Sequence, residues 1–173
     1  MIIGLTGTFG AGKGAVADIL KKKGFAQLVM SDVLREECRK AGIDEGRDNL
    51  LAMGNKLRAE FGSGILMKKL IEKAKKEKYK DVIIDGLRSL GEAEELKKNK
   101  GKLIAVDAPL KVRYERVVKR GTSKDSITFE EFKKQEENES QIRECVKKAD
   151  YTVVNDSSFE ELNDKVEEIL AEF

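Results

Sequence analysis

Ile2-Ile-Gly-Leu-Thr-Gly7-Thr-Phe-Gly-Ala-Gly-Lys13-Gly14 is the stretch on which the fold of this chain turns. Its first half is a short apolar run; its second half is rich in glycine and ends on a lysine that opens a helical pattern. A strand, a glycine turn and a helix start, in that order, make an anion-binding loop. Glycines at 7, 10 and 12 let the backbone wrap closely, so that successive N–H groups from Gly7, Thr8, Phe9, Gly10, Ala11, Gly12, Lys13, Gly14 and Ala15 surround a polyphosphate. The helix start adds its positive dipole end, and Lys13 adds a mobile charge for the outer phosphates of ATP. One position departs from the usual pattern. Gly14 and Ala15 follow Lys13 where a Ser or Thr hydroxyl normally reaches Mg²⁺, so the metal must lean on water and on a carboxylate elsewhere.

Outward from the loop, apolar segments rich in Val, Ile or Leu read as strands at Ile2–Thr6, Phe25–Met30, Asp81–Asp85, Lys102–Asp107 and Tyr151–Val154. Helical patterns fill the gaps: 13–23, 33–40, 48–78 with a break near Phe61-Gly-Ser-Gly64, 91–98, 110–119, 129–148 and 159–171. Such alternation predicts an α/β fold of three layers, a five-stranded parallel sheet with helices on both faces and its ligand edge at the loops after the strands. Gly24 closes the first helix, and Ser157 or Ser158 caps the last. One domain is expected over residues 1–173, with a helical acceptor-side region at about 32–78 and a short lid at about 120–130.

Composition narrows the chemistry. The chain has no His, so its chemistry must run on carboxylates, Lys, Arg and backbone amides, and its two cysteines, Cys38 and Cys145, lack the spacing of a zinc site or disulfide scaffold. With 34 Lys plus Arg against 32 Asp plus Glu, the charge of +2 suggests neither nucleic acid nor an anionic membrane as partner. The lysine clusters at 21–23, 73–80 and 97–102 read as solvated surface. No apolar run approaches membrane-spanning length, and a cytoplasmic monomer or homodimer is expected.

Four further segments carry a family resemblance. Met30-Ser-Asp32-Val-Leu-Arg35-Glu resembles the acceptor segment of nucleoside monophosphate kinases. Asp85-Gly86-Leu-Arg88-Ser is similar to the Asp-Gly-Phe-Pro-Arg signature of adenylate kinases with one residue deleted. Arg116-Val-Val-Lys-Arg120 resembles the arginine pair at the start of their lid. Ala149-Asp-Tyr-Thr-Val-Val-Asn155-Asp156 resembles the last strand and turn of dephospho-CoA kinases, which implies that Asn155 lies near the adenine of ATP. The chain as a whole looks most like the dephospho-CoA kinase-like, adenylate-kinase-related P-loop proteins of archaea and bacteria.

Phosphoryl transfer needs charge neutralisation and alignment more than covalent help, which gives these residues roles. Asp85, at a strand end, is the candidate for a water-mediated Mg²⁺ contact or else a turn cap. Asp32 orients or deprotonates an acceptor hydroxyl, or caps the helix that follows. Arg35 and Arg88 suit the bidentate grip of an acceptor phosphate, and Arg116 and Arg120, one helical turn apart, suit reach over ATP. Arg58 is a weaker acceptor-side candidate. Lys13, Asp32, Arg88 and Arg120 form the expected catalytic set, acting on ATP with Mg²⁺ and a small-molecule phosphate acceptor, a nucleoside monophosphate or dephospho-CoA. The alternative is a partner-regulated ATPase or nucleotide switch with no such acceptor.

Overall fold

The computed structural model describes residues 1–121 and 127–173. Five parallel strands, β1 (Ile2–Gly7), β2 (Ala26–Val29), β3 (Val82–Asp85), β4 (Lys102–Asp107) and β5 (Tyr151–Val154), form one sheet in the order β2-β3-β1-β4-β5. The glycine loop leaves β1, the central strand, so it sits at the middle of the carboxyl edge. There the chain crosses from one side of the sheet to the other, where ligands of open α/β folds bind.

Side chains alternate along each strand, yet both faces are covered, which explains the nearly unbroken apolar runs. Ile3, Leu5, Ile83, Ile104, Val106 and Val153 pack with Val16, Ile19 and Leu20 of α1 (Lys13–Lys22) and with Leu162 and Val166 of α9 (Phe159–Ala171). On the opposite face Val82, Ile84 and Leu103 pack with α2 (Met30–Lys40), α3 (Arg47–Phe61), α4 (Ile65–Lys76) and α5 (Leu90–Lys98). Gly4 lets α5 lie close: a Cβ there would meet Leu96 Cδ2 at 2.5 Å. The remaining helices are α6 (Leu110–Arg120), α7 (Phe129–Asn138) and α8 (Ser140–Lys147).

Several boundaries follow the sequence reading. The break near Gly62-Ser-Gly64 separates α3 from α4, and Ser158 caps α9 by accepting the N–H of Glu161 at 3.2 Å. Most other ends agree to within two residues, but two regions differ in kind. Met30 is helical rather than the end of β2, so the cap of α2 is Val29, with no side-chain bond, and Asp32 lies inside the first turn facing the helix dipole. The pattern over 129–148 forms two helices joined at Glu139, although no Gly or Pro marks the break. Their apolar faces go to different places: Phe132 packs against Tyr114 and Phe9, whereas α8 buries Ile142 and Cys145 and lies against β1 and β4. Packing sets the bend where local propensity would run straight on. Among the described residues no helix is long and apolar enough to cross a membrane.

Candidate functional site

The loop is shaped from behind. Gly12, at φ 88°, begins α1, and a Cβ on it would fall 2.2 Å from Asn155 Nδ2; Gly10, at φ 81°, passes so near α6 that a Cβ would meet the Arg113 carbonyl oxygen at 2.7 Å. Left-handed backbone and close approach together demand glycine at both positions. Asn155 Nδ2 donates to the Ala11 carbonyl at 2.9 Å, Arg116 Nη1 donates to the Asn155 carbonyl at 2.8 Å, and Thr8 Oγ1 donates to Asp107 Oδ1 at 3.2 Å. These bonds fasten the outer side of the loop and leave its inner side to the cavity.

That cavity measures about 310 Å³ and is lined by Gly7 to Gly10, Gly12 to Gly14, the segment Gly86-Leu87-Arg88, then Arg116, Val117 and Arg120 of α6, and Glu139 and Ile142. Of the residues expected around ATP, Ala11 and Ala15 place their methyl groups in the core, and Asn155, 7% exposed, supports the loop from beneath. Arg120 lies over the ring of Phe9, 5.4 Å from its centroid. Among the described residues the lining sets one carboxylate against four cationic side chains, a balance that suits an anion.

Lys13 Nζ stands 3.0 Å from Asp85 Oδ1 at the end of β3. Gln27 Nε2 donates to the other oxygen, Oδ2, at 3.3 Å, while Oδ1 is buried and, apart from the Lys13 ion pair, accepts no hydrogen bond from a described residue. A buried carboxylate oxygen held only by a mobile ammonium group fits a water-mediated Mg²⁺ contact, which needs few protein ligands when phosphates and waters supply the rest. Among the described residues there is no cluster of three or more acidic or Cys ligands that would build a metal cage.

Asp32 and Arg35 lie apart from the cavity. Arg35 Nη1 donates to Asp32 Oδ1 at 2.8 Å and to Ser31 Oγ at 2.9 Å, and Asp32 lines a separate groove between α2 and α4 beside Lys69 and Lys73. Five residues of the expected lid, 122–126, lie outside the described residues. Its C-terminal flank begins α7 with a capping box, in which the Thr128 N–H and hydroxyl hold the Glu131 carboxyl below the usual carboxylate range.

Sequence reasoning missed three contributors. Glu92, wholly buried, takes Arg58 Nη2 on Oε1 at 2.9 Å and the backbone N–H groups of Arg88 and Ser89 on Oε2 at 2.9 and 3.1 Å. It thereby fixes the Arg88 turn and joins it to α3; the Ser89-x-x-Glu92 capping box was its legible sign. Arg113, 4% exposed, lies beneath the loop, and nothing in the sequence separates it from a surface arginine. Glu139, at the helix break, presents a buried Oε2 that no described residue hydrogen-bonds.

Comparison with known proteins agrees with this architecture. A family model described as an AAA domain matches residues 3–144. A UPF0200 protein of Sulfurisphaera tokodaii is 42% identical over 172 residues, covering 98% of this chain and 95% of the relative. The fold matches shikimate kinase from Aquifex aeolicus (22% identity, 99% of this chain and 95% of that one, TM-score 0.58). It also matches dephospho-CoA kinase from Campylobacter jejuni (17% identity, 99% and 96%, TM-score 0.56). The chain belongs to the UPF0200 family and, over residues 3–144, to the family described as an AAA domain, and its fold is the one seen in these two kinases.

Proposed function

We propose that this protein is an ATP-dependent phosphotransferase that moves the γ-phosphoryl group to a nucleotide-type acceptor, a nucleoside monophosphate or dephospho-CoA. The reading rests on one observation: the glycine loop, Lys13, Arg88, Arg116 and Arg120 line a single cavity, with Asp85 3.0 Å from Lys13. In this reading the loop N–H groups take the phosphates of ATP, and Lys13 turns from Asp85 to the β- and γ-phosphates. Arg116 and Arg120 cover ATP from α6. Arg88, on the turn that Glu92 fixes, grips the acceptor phosphate with two parallel hydrogen bonds. Asp85 would hold Mg²⁺ through water, and the ion would supply charge neutralisation to the phosphates.

An ionised acceptor phosphate needs no base. A hydroxyl acceptor does, and Asp32 takes that role with Arg35 only after α2 turns them toward the cavity. The closed Asp32–Arg35 pair, 2.8 Å apart and outside the cavity, favours the second reading, an ATPase or switch that a partner protein controls. Incubating the protein with Mg-ATP and a panel of nucleoside monophosphates, dephospho-CoA and nucleosides, and reading ADP, separates the two. Acceptor-dependent ADP, lost in Arg88→Ala and reduced in Arg35→Ala, supports the kinase. Turnover equal with and without acceptors, and indifferent to Arg35→Ala, supports the ATPase.

A further inference from the structure

Arg113 is a cation with almost no water around it, and its bonds go to three separate segments. Nε donates to the Ala108 carbonyl at 2.8 Å, Nη1 donates to the Phe9 carbonyl at 3.3 Å, and Nη2 pairs with Glu136 Oε1 on α7. Its guanidinium lies 5.8 Å from the centroid of Phe132, whose ring in turn stands 5.8 Å from that of Phe9 at the crown of the loop. Glu136 is 13% exposed, and Arg143 Nη2 approaches the same Oε1 at 3.7 Å. Burying such a pair contributes little stability compared with apolar side chains, so its geometry is the more informative property.

An anion-binding loop works only while its N–H groups face the ligand and its carbonyls face away. Phe9 is the loop residue whose carbonyl Arg113 holds on the outer side. We infer that Arg113 and Glu136 form a positioning pair that keeps this carbonyl turned from the bound phosphates and makes the shape of the loop depend on the seating of α7. Neither residue touches the ligand; both act through the backbone of Phe9. The inference rests on the loop being a phosphate site, as proposed above, and is independent of which acceptor is used.

Inorganic tripolyphosphate, titrated calorimetrically into the whole protein, reads the loop without the nucleoside. Arg113→Lys, which keeps the charge and loses the fork, should bind about tenfold more weakly, and Glu136→Gln severalfold more weakly, from the loss of about one charge-assisted hydrogen bond each. Leu70→Ala, in the α4 core away from the loop, serves as a control: it should melt earlier and keep affinity within about twofold, because distant sites are independent. Wild-type affinity in both charge variants overturns the inference, as does loss of affinity that merely follows melting temperature across all three. Should Arg113→Lys fail to fold, Glu136→Gln, which retains the arginine and its two carbonyl bonds, decides by the same criterion. If wild-type protein binds tripolyphosphate but yields no acceptor-dependent ADP, the kinase reading fails and the variant affinities still decide this inference; if it does not bind tripolyphosphate, this inference fails and the ADP assay alone decides the kinase reading.

Discussion

Replacing Lys13 by Met removes a charge from a pair that is partly shielded from water, and the structure sets the size of the effect. Removing one partner of a fully buried ion pair costs about 3–5 kcal/mol, because the other charge is left without compensation. Lys13 and Asp85 retain 27% and 15% side-chain exposure, so solvent relieves much of this. Roughly 1–2 kcal/mol should remain, a fall of about 2–8 °C in melting temperature for a chain of this size. Asp85 keeps only the 3.3 Å bond from Gln27, whereas Asp85→Asn leaves the more exposed lysine free to hydrate and should cost less. The double variant Lys13→Met with Asp85→Asn should therefore melt above Lys13→Met alone. ATP turnover, by contrast, should vanish in both variants that lack the lysine. Calorimetric melting of the four proteins, alongside ADP release, measures the two effects separately. A double variant that melts at the sum of the single losses would show no coupling and refute the reading of Lys13 as resting on Asp85.

Other outcomes follow from the same geometry. Gly12→Ala combines left-handed backbone strain with a contact 2.2 Å from Asn155 Nδ2, and should weaken ATP binding about a hundredfold, read by calorimetry. A Cβ on Gly14 would meet nothing within 4 Å, and the residue lies in the first turn of α1, so Gly14→Ser should be accepted, raise stability by a few tenths of a kcal/mol, and tighten Mg²⁺-dependent ATP binding; unchanged metal dependence would count against Asp85 as a substitute for the missing hydroxyl. Cys38 and Cys145 are buried, and burial pushes the Cys145 thiol up to about 11, so alkylation near pH 8 should label neither in native protein and both after unfolding, as read by intact mass.

The parts of the fold that were legible in the sequence are those governed by local signals. Ile2 to Lys13 carries strand, turn and helix start within a dozen residues, and its reading survives in three dimensions. The parallel sheet was legible because Val82-Ile-Ile and Leu103-Ile-Ala-Val are apolar on both faces, as only a doubly covered sheet requires. What escaped depends on distant partners. Arg113 is set apart from Arg116 by Glu136 and Phe9, 23 and 104 positions away in sequence. The bend at Glu139 arises from where Phe132 and Ile142 find their cores. The bond by which Asn155 supports the loop reaches a carbonyl 144 residues earlier and has no local sign. Asp32 and Arg35 sit one helical turn apart, a spacing that suits mutual pairing as well as it suits a ligand, and periodicity alone does not separate these.

The most direct test of the central claim follows the γ-phosphoryl group itself. ATP carrying ¹⁸O on the γ-phosphate is incubated with the protein and the acceptor that best stimulates ADP release, and the products are analysed by mass spectrometry. Phosphoryl transfer predicts the label in a phosphorylated acceptor, in an amount equal to the ADP formed. Label found only in free orthophosphate would contradict it.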